Sequence, residues 1–288
     1  MTAFSIIAAV TVLTWNGQWF PSGRAEHRAS PEAEARTVEA AGKMLGEALA
    51  KADPAGTNGV IICLNEIRGP KTAEDLVAKL GVTKLAVAVV TGYRRRDRFD
   101  QQQDVIATTL PVAGSGWSRW RNAKAETPPR GYAFADIVIE PAVTARVYAV
   151  HLKSNYGQTT ETIAARNRAK RTGAVRQLVE QEKPKRGRYR RPVIVAGDFN
   201  ADARRAEFKK DDLFDVFEKA GFLDALDDIP AQERITYPKR GKFGGTTLDY
   251  IMFRSFGKPS AAGVVSASGI SDHNAVFAVF FTERSAVW

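Results

Sequence analysis

The chain has 288 residues, is 44% hydrophobic and carries a formal net charge of +10. This apolar content is enough for a large buried core. The single cysteine, Cys63, excludes an intrachain disulfide, and no apolar segment is long enough to span a bilayer.

The elements predicted along the chain alternate between strands and helices. Residue 30 is a serine followed by proline, a typical start of a helix, and Gly81 is a typical stop. Apolar runs predict strands at 10–15, 60–64, 85–90, 104–109, 132–139, 146–152, 193–196, 248–253 and 275–281. The helices are predicted at 30–52, 72–80, 160–181 and 211–220. Strands 132–139 and 146–152 form a hairpin turning at Glu140 and Pro141, so the pattern favours a mixed α/β layered fold.

Residues 1–9 are too short for a secretory signal and lack its basic start. They fit either the stub of such a signal or an extension of the first strand. The sequence therefore predicts a soluble protein and leaves its compartment open.

Positive charge is concentrated in two segments. Between residues 165 and 191 there are eleven Lys and Arg residues against two Glu, and residues 94–98 form a second basic cluster. Concentrated charge of this kind favours a polyanion partner. The competing interpretation is a solvated loop with no partner.

Six short segments combine apolar strand residues with polar ligand-type residues at the strand end. They are LTWNG (13–17), LNEIR (64–68), VHLKSN (150–155), GDFN (197–200), TLDYI (247–251) and SDH (271–273). Carboxylate, amide and imidazole groups at strand ends can hold a hard divalent cation and activate water.

In this order, the six segments resemble the endonuclease/exonuclease/phosphatase, or DNase I-like, superfamily over residues 10–282. That family includes pancreatic-type DNases, abasic-site endonucleases, bacterial sphingomyelinases and inositol polyphosphate 5-phosphatases. The resemblance implies a four-layer α/β sandwich, with two mixed, mainly antiparallel sheets packed face to face and helices outside. It also implies one domain over residues 1–288.

The resemblance implies a metal site at Asn16, Glu66 and Asp272. The oxygen ligands suit Mg²⁺, with Mn²⁺ or Ca²⁺ as alternatives.

For catalysis, the resemblance implies that His273 takes the proton from the attacking water and that Asp249 orients it. Asn200 would hold a phosphate oxygen beside Asp198. The base remains open between Asp198 and His273, and Asp198 could instead orient water or a second metal.

His151 matches a position that is His in pancreatic-type DNases and Tyr in abasic-site enzymes. It would donate to a phosphate oxygen or protonate the leaving group. Where pancreatic-type DNases place a Glu beside this His, the chain offers Gln103. A neutral amide can orient an imidazole but cannot stabilise its charge, which favours the donor role.

The resemblance also suggests substrate-binding residues. Arg68 matches a groove-reading arginine, Arg130 matches a phosphate-contacting one, and Asn155 lies near His151. Trp117 and Trp120 fall in a predicted loop, where they either pack the loop down or stack on a base or lipid.

Three functions remain in competition. The leading one is a metal-dependent nuclease of low specificity, monomeric, binding nucleic acid through its basic face without an obligatory protein partner. The second is a lipid or small-molecule phosphoesterase of the sphingomyelinase or inositol-phosphate phosphatase type. The third is a scaffold that has lost catalysis, which the presence of all the main ligand residues disfavours.

Overall fold

A computed structural model describes residues 9–23, 29–95, 98–99, 102–121, 126–183, 191–239 and 244–281. The helices are α1 (Pro31–Ala52), α2 (Pro70–Ala78), α3 (Glu161–Gln181) and α4 (Leu213–Lys219), with a 3₁₀ turn at Ala206–Phe208. The strands of the first half are β1 (Ala9–Phe20), β2 (Gly59–Ile67), β3 (Ala86–Val90), β4 (Arg94–Arg95), β5 (Arg98–Phe99), β6 (Gln103–Thr108) and β7 (Val112–Arg119). Those of the second half are β8 (Gly131–Glu140), β9 (Val143–His151), β10 (Val193–Asp198), β11 (Leu223–Asp224), β12 (Asp249–Arg254), β13 (Ala261–Val265) and β14 (Ala275–Phe281).

The long strands form two six-stranded sheets. The first has the order β13-β14-β1-β2-β6-β3 and the second the order β11-β12-β10-β9-β8-β7, while β4 and β5 form a separate hairpin. Within the described residues, only β1–β2 and β9–β10 pair in parallel. Both sheets are therefore mixed and mainly antiparallel, as expected.

The two sheets pack face to face around one apolar layer. Side chains such as Val12 and Cys63 of the first sheet meet Ala149 and Ile194 of the second. The opposite face of the first sheet is covered by α1 and α2, and that of the second by α3 and α4. The order of layers is thus helix, sheet, sheet, helix, which confirms the predicted four-layer sandwich.

Local signals account for the helix boundaries. The Ser30 hydroxyl accepts a hydrogen bond from Ala33 N and caps α1, with Pro31 following. Thr160 caps α3 in the same way through Ile163 N. Gly81, with φ of +71°, follows α2. Among the helices of the described residues, none is long and apolar enough to cross a membrane.

Five strands were not predicted, namely the two-residue strands β4, β5 and β11 and the longer strands β7 and β13. β7 lies where a loop was expected, and β13 has a short Ala/Gly-rich sequence. Both have one strand neighbour in their sheets, so pairing with that neighbour, rather than local apolar pattern, defines them. The prediction that Trp117 and Trp120 lie in a loop is wrong for Trp117, because Trp117 lies within β7. Trp120 is buried against Tyr132, with ring centroids 4.8 Å apart.

Gly197 is tightly enclosed by the neighbouring strand of its own sheet and by Asn65 of the other sheet. Its φ is +142°, and a Cβ built there would lie 1.9 Å from Val150 O and 2.9 Å from Asn65 Oδ1. Glycine is required here because no rotamer change could relieve a clash with a backbone carbonyl.

We therefore expect Gly197→Ala to lower the free energy of unfolding by about 3 kcal/mol or more. At this chain length, thermal denaturation should register a fall in Tm of roughly 6 °C or more. Gly114→Ala is the matched control, since the nearest atom to its added Cβ is 3.8 Å away. Equal Tm values for the two variants would contradict this account.

Candidate active site

Strand alternation brings four polar side chains to one end of the space between the sheets. Asn16, His151 and Asp198 continue the inward-facing rows of β1, β9 and β10, and Asp249 begins that of β12; other members of these rows are core residues. In the second sheet, Asp198 lies opposite His151 on one side and opposite Asp249 on the other. Registers of the sheets, and not proximity in sequence, therefore assemble this cluster.

Glu66 joins the cluster through a break in the alternation. In a regular strand every second side chain lies on the same face, so Glu66 would lie on the face of Leu64, which packs toward the helices. The register of β2 shifts between Leu64 and Ile67, and Glu66 has φ of +59°. Its Oε1 then accepts from Asn16 Nδ2 at 3.3 Å and its Oε2 from Trp19 N at 2.9 Å. Asn200 and Arg130 also have positive φ, +53° and +63°, as strained residues at functional sites often do.

Asp198 is the hub of the cluster. Its Oδ2 accepts from Asn16 Nδ2 at 3.0 Å and from Asn200 Nδ2 at 2.9 Å, and its Oδ1 accepts from Asn200 N at 2.8 Å. Burial raises the pKa of Asp198 to about 7, and the negative charges of Asp249 and Glu66 act in the same direction.

His273 and Asp249 form a hydrogen-bonded pair. His273 Nδ1 lies 2.7 Å from Asp249 Oδ2, and His273 Nε2 lies 4.0 Å from Asp198 Oδ2. Burial on its own lowers the pKa of His273, but the charges of Asp249 and Asp198 outweigh it and raise the pKa to about 10. While both carboxylates keep their full charge, this imidazole therefore holds a proton at neutral pH.

His151 faces the same carboxylates but is neutral. Its Nε2 lies 3.7 Å from Glu66 Oε1 and 3.6 Å from Asp198 Oδ2. Burial, followed by the charge of Arg130, lowers its pKa well below the usual value. A neutral imidazole suits a hydrogen-bond donor better than a general acid.

The prediction that Gln103 orients the imidazole of His151 is wrong. Gln103 is buried, and its Oε1 accepts from Thr91 Oγ1 and Tyr93 N, both at 2.9 Å, while its Nε2 donates to Tyr93 O. His151 Nδ1 is buried and has no hydrogen-bond partner among the described residues. The amide bonds the Thr91 hydroxyl and the backbone of Tyr93, in the segment that follows β3, and no hydrogen bond joins it to His151 Nδ1.

The donor set fits a hard divalent cation. Glu66 and Asp198 both direct carboxylate oxygens at the amide of Asn16. Asp198, Asp249 and His273 form a further group whose ligand atoms lie within 4.8 Å of one another. Buried Asp249 Oδ1 also has no hydrogen-bond partner among the described residues. Carboxylate-rich sets of this kind are typical of Mg²⁺ sites.

Asp272 lies at the rim of the cluster. Its Oδ2 pairs with Lys239 Nζ at 3.3 Å, and its backbone N donates to Gln18 Oε1 at 3.1 Å. Whether it completes the metal site with Asn16 and Glu66 stays a prediction.

The residues expected to bind substrate are held by bonds within the chain. Arg68 forms a two-pronged pair with Glu34, with both N–O distances at 2.6 Å. Arg130 donates to the carbonyls of His151 and Leu152, and to Gln102 Oε1. These bonds fix the end of β9, so Arg130 positions His151 whatever else it contacts.

Asn155 is likewise held by hydrogen bonds within the chain. Its Nδ2 donates to Asn200 O at 2.8 Å, and its Oδ1 accepts from Arg171 Nη1 at 2.9 Å. Arg171 is buried and forms a two-pronged pair with Asp211. This arginine of the basic helix thus supports the loop after His151 and is not available to a polyanion.

The basic segment is only partly an exposed surface. On α3, Arg166 and Lys170 pair with Glu126, and Arg168 pairs with Glu161. The strongly basic residues 184–190, and residues 96–97 of the second cluster, lie outside the described part of the chain.

Asn65 and Asp104 were not predicted as site residues. Asn65 Nδ2 donates to Asp104 Oδ1 at 2.7 Å, and its Oδ1 accepts from Asp198 N at 3.0 Å. Burial raises the pKa of Asp104 to about 7. The one feature of the sequence that could have indicated Asn65 is its position directly before Glu66. Its hydrogen bond to the opposite sheet depends on the fold.

Comparison with known proteins identifies the arrangement. A profile of the "Endonuclease/Exonuclease/phosphatase family" matches residues 13–273. No curated protein matches the chain.

Several solved structures share the fold. One is an endonuclease/exonuclease/phosphatase family protein from Leptotrichia buccalis, with TM-score 0.63, 12% identity, and coverage of 94% of this chain and 99% of that one. One from Beutenbergia cavernae has TM-score 0.64, 15% identity, and coverage of 95% and 71%. TDP2 of D. rerio, complexed with a single-strand DNA product, has TM-score 0.62, 17% identity, and coverage of 95% and 99%.

The charge pattern predicts how His273 titrates. In the metal-free protein its pKa should be about 10, and Asp249→Asn should lower it by about 1–3 units because one neighbouring charge is removed. A raised pKa stabilises the fold fully below the unfolded value, and this stabilisation is lost as the pH rises through the folded value. The advantage of the wild type over Asp249→Asn should therefore shrink as the pH rises toward 10.

Side-chain ¹⁵N NMR of the imidazoles measures this pKa directly, with His273→Gln to assign the signal. Denaturation at several pH values measures the stability. A His273 pKa that is the same in wild type and Asp249→Asn would show that Asp249 does not control this proton.

Proposed function

Because the chain belongs to the endonuclease/exonuclease/phosphatase family, we propose that it is a divalent-metal-dependent nuclease. It hydrolyses DNA, and RNA by the same chemistry, with little sequence specificity. We take residues 1–288 to act as one domain and as a monomer.

The observation that carries the proposal is the convergence of the buried cluster. A hydrogen-bonded His273–Asp249 pair, two carboxylates and two amides meet at one end of the sheets. Buried charge is costly for a fold, so such a concentration is characteristic of an active site.

The residues of the cluster have different roles in the hydrolysis of a phosphodiester. His273, held by Asp249, is placed to accept the proton of the attacking water, with Asp198 as the neighbouring group. The Asn200 amide and the neutral His151 are placed to donate hydrogen bonds to phosphate oxygens, where charge develops in the transition state. Arg130 holds the end of β9, which carries His151, and Asn155 holds the loop that carries Asn200.

Glu66, Asp198 and Asn16, with Asp272 at the rim, would hold the cation, Mg²⁺ or alternatively Mn²⁺ or Ca²⁺. Bound there, a dication supplies electrostatic stabilisation of the phosphate and of the leaving oxygen. Its positive charge would also offset the carboxylates that keep His273 protonated, and so lower the His273 pKa toward the range that a base needs.

Electrostatics favour nucleic acid as the substrate. The chain carries a net charge of +10, and Lys153 lies near the site, where burial and then the charges of neighbours such as Arg130 and Lys170 lower its pKa. Basic surfaces bind the phosphate backbone without regard to sequence. The single-strand DNA product held by TDP2 of D. rerio is further support.

A lipid or small-molecule phosphoesterase, of the sphingomyelinase or inositol-phosphate phosphatase type, is the alternative. The nearest candidate for a lipid contact was the segment around Trp117 and Trp120. Trp120 is buried, and Trp117 lies on β7 with its ring edge-on to Tyr93 at 5.6 Å. An edge strand with one half-exposed aromatic is a poor membrane anchor, which favours the nuclease.

The test is cleavage of supercoiled plasmid with Mg²⁺, with Mn²⁺ and with EDTA. We expect metal-dependent nicking, reduced by at least about 10³-fold in the double variant Asp198→Ala/His273→Ala, since acid–base and electrostatic contributions are both lost. Lys258→Ala is the control, because this lysine forms only an exposed pair with Asp228. Persistent nicking by the double variant would reveal a contaminating nuclease.

Sphingomyelin and inositol polyphosphates in the same buffers test the alternative. If either is hydrolysed, with the same dependence on Asp198 and His273, and plasmid stays intact with both metals, the nuclease assignment is wrong and the lipid or small phosphoester assignment replaces it.

A further inference from the structure

The most exposed large aromatic of the described residues lies next to the catalytic cluster. Tyr156 is 93% exposed and directly follows Asn155, whose side chain contacts Asn200. Large aromatic side chains are usually at least half covered, since their exposure leaves apolar area in water. None of the catalytic steps above uses this residue.

Tyr156 stands at the tip of a tight turn. Gln158 N donates to Asn155 O at 3.2 Å, which closes a four-residue turn with Tyr156 and Gly157 in the middle. Gly157 has φ of +74°, the value that the third position of a type II turn requires. The turn therefore has a defined conformation in which the tyrosine is presented to solvent.

The base of the turn is fastened on two sides. Arg171 Nη1 donates to Lys153 O at 2.8 Å and to Asn155 Oδ1 at 2.9 Å, while Asn155 Nδ2 donates to Asn200 O at 2.8 Å. The buried pair of Arg171 with Asp211 holds this support in place. Because Asn200 is a catalytic residue, the turn is fixed relative to the scissile phosphate.

The surroundings of the turn are cationic and polar. Arg171 donates to Lys153 O and Arg130 to Leu152 O, so two guanidinium groups lie at the base of the turn beside Lys153, whose pKa is lowered by burial and then by neighbouring positive charges. The turn itself consists of Asn155, Tyr156, Gly157 and Gln158, so the tyrosine has no apolar neighbour in the turn. A single aromatic in a polar, cationic setting matches a base on a phosphate backbone better than it matches an acyl chain.

We propose that Tyr156 is a stacking platform for an unpaired base next to the scissile phosphate, which makes single-stranded nucleic acid the preferred substrate. This inference rests on the proposed function and deepens it. A base in duplex has both faces covered by its neighbours, whereas an unpaired base can leave the strand and place a face on the phenol ring.

Binding is measured by fluorescence anisotropy of a labelled single-stranded 15-mer, and of its duplex, in EDTA so that no cleavage occurs. We expect the wild type to prefer the single strand, and Tyr156→Ala to weaken single-strand binding about tenfold, as stacking contributions of this kind imply. Tyr156→Phe should keep the affinity, since it keeps the ring. Phe281→Ala is the matched control, because Phe281 is 56% exposed at the end of β14 away from the site.

Two further readouts separate stacking from a general structural role. Tyr156→Ala should raise KM for the single strand and leave kcat within about twofold, as the loss of binding made equally in ground and transition states does. It should also leave the salt dependence of binding unchanged. Lys153→Ala should reduce the slope of log affinity against log salt by about 0.7, the value of one single-strand phosphate contact.

The outcomes distinguish the inference from the proposed function. Hydrolysis of bis(p-nitrophenyl) phosphate by the wild type tests the catalytic site without a strand. If that hydrolysis occurs but Tyr156→Ala binds the single strand as the wild type does, the stacking platform is disproved and the phosphodiesterase stands. If Tyr156→Ala impairs binding to sphingomyelin vesicles and not to the 15-mer, Tyr156 is a lipid contact and the inference is overturned.

Discussion

The burial of Asp198 between two sheets is the constraint on which the rest of the site depends. A buried carboxylate must be compensated by donors or by positive charge. Here Asn16 and Asn200 donate to it, His273 supplies a nearby charge, and Asn65 binds its backbone N–H. These partners come from both sheets, so the cluster can form only when the sheets are packed together. The same compensation that stabilises the fold thus assembles the groups that a phosphodiesterase needs.

The geometry of this cluster is maintained by irregular backbone. A glycine at position 197 lets the second sheet approach Asn65, and the left-handed conformation of Glu66 turns its side chain away from the regular alternation, while Asn200 has the same backbone conformation. Regular strands would place Glu66 toward the helices. The local strain is compensated by hydrogen bonds from Trp19 N to Glu66 and from Asn200 N to Asp198.

The basic residues have two separate functions. Arg171, Arg130 and Arg68 form hydrogen-bonded pairs or clamps within the chain, and at least the first two position the loops around the site. Lys153 remains near the site as a partly exposed charge. Net charge therefore overstates the cationic surface offered to a polyanion, because part of it is used to hold the loops that present His151, Asn200 and Tyr156.

The sequence by itself determined most element boundaries, because strand and helix periodicity and caps are local properties. Its six motifs also carried the resemblance that implied the family and the four-layer fold. The sequence also indicated which polar residues lie at strand ends. Tertiary structure alone decided the partners of Gln103, Arg68 and Asn155, and the existence of β7 and β13. These depend on contacts between residues far apart in the chain or on pairing with a neighbouring strand. The physical reason is that the type of each side chain and its spacing along the chain are local properties, whereas its hydrogen-bond partner depends on how two packed layers meet.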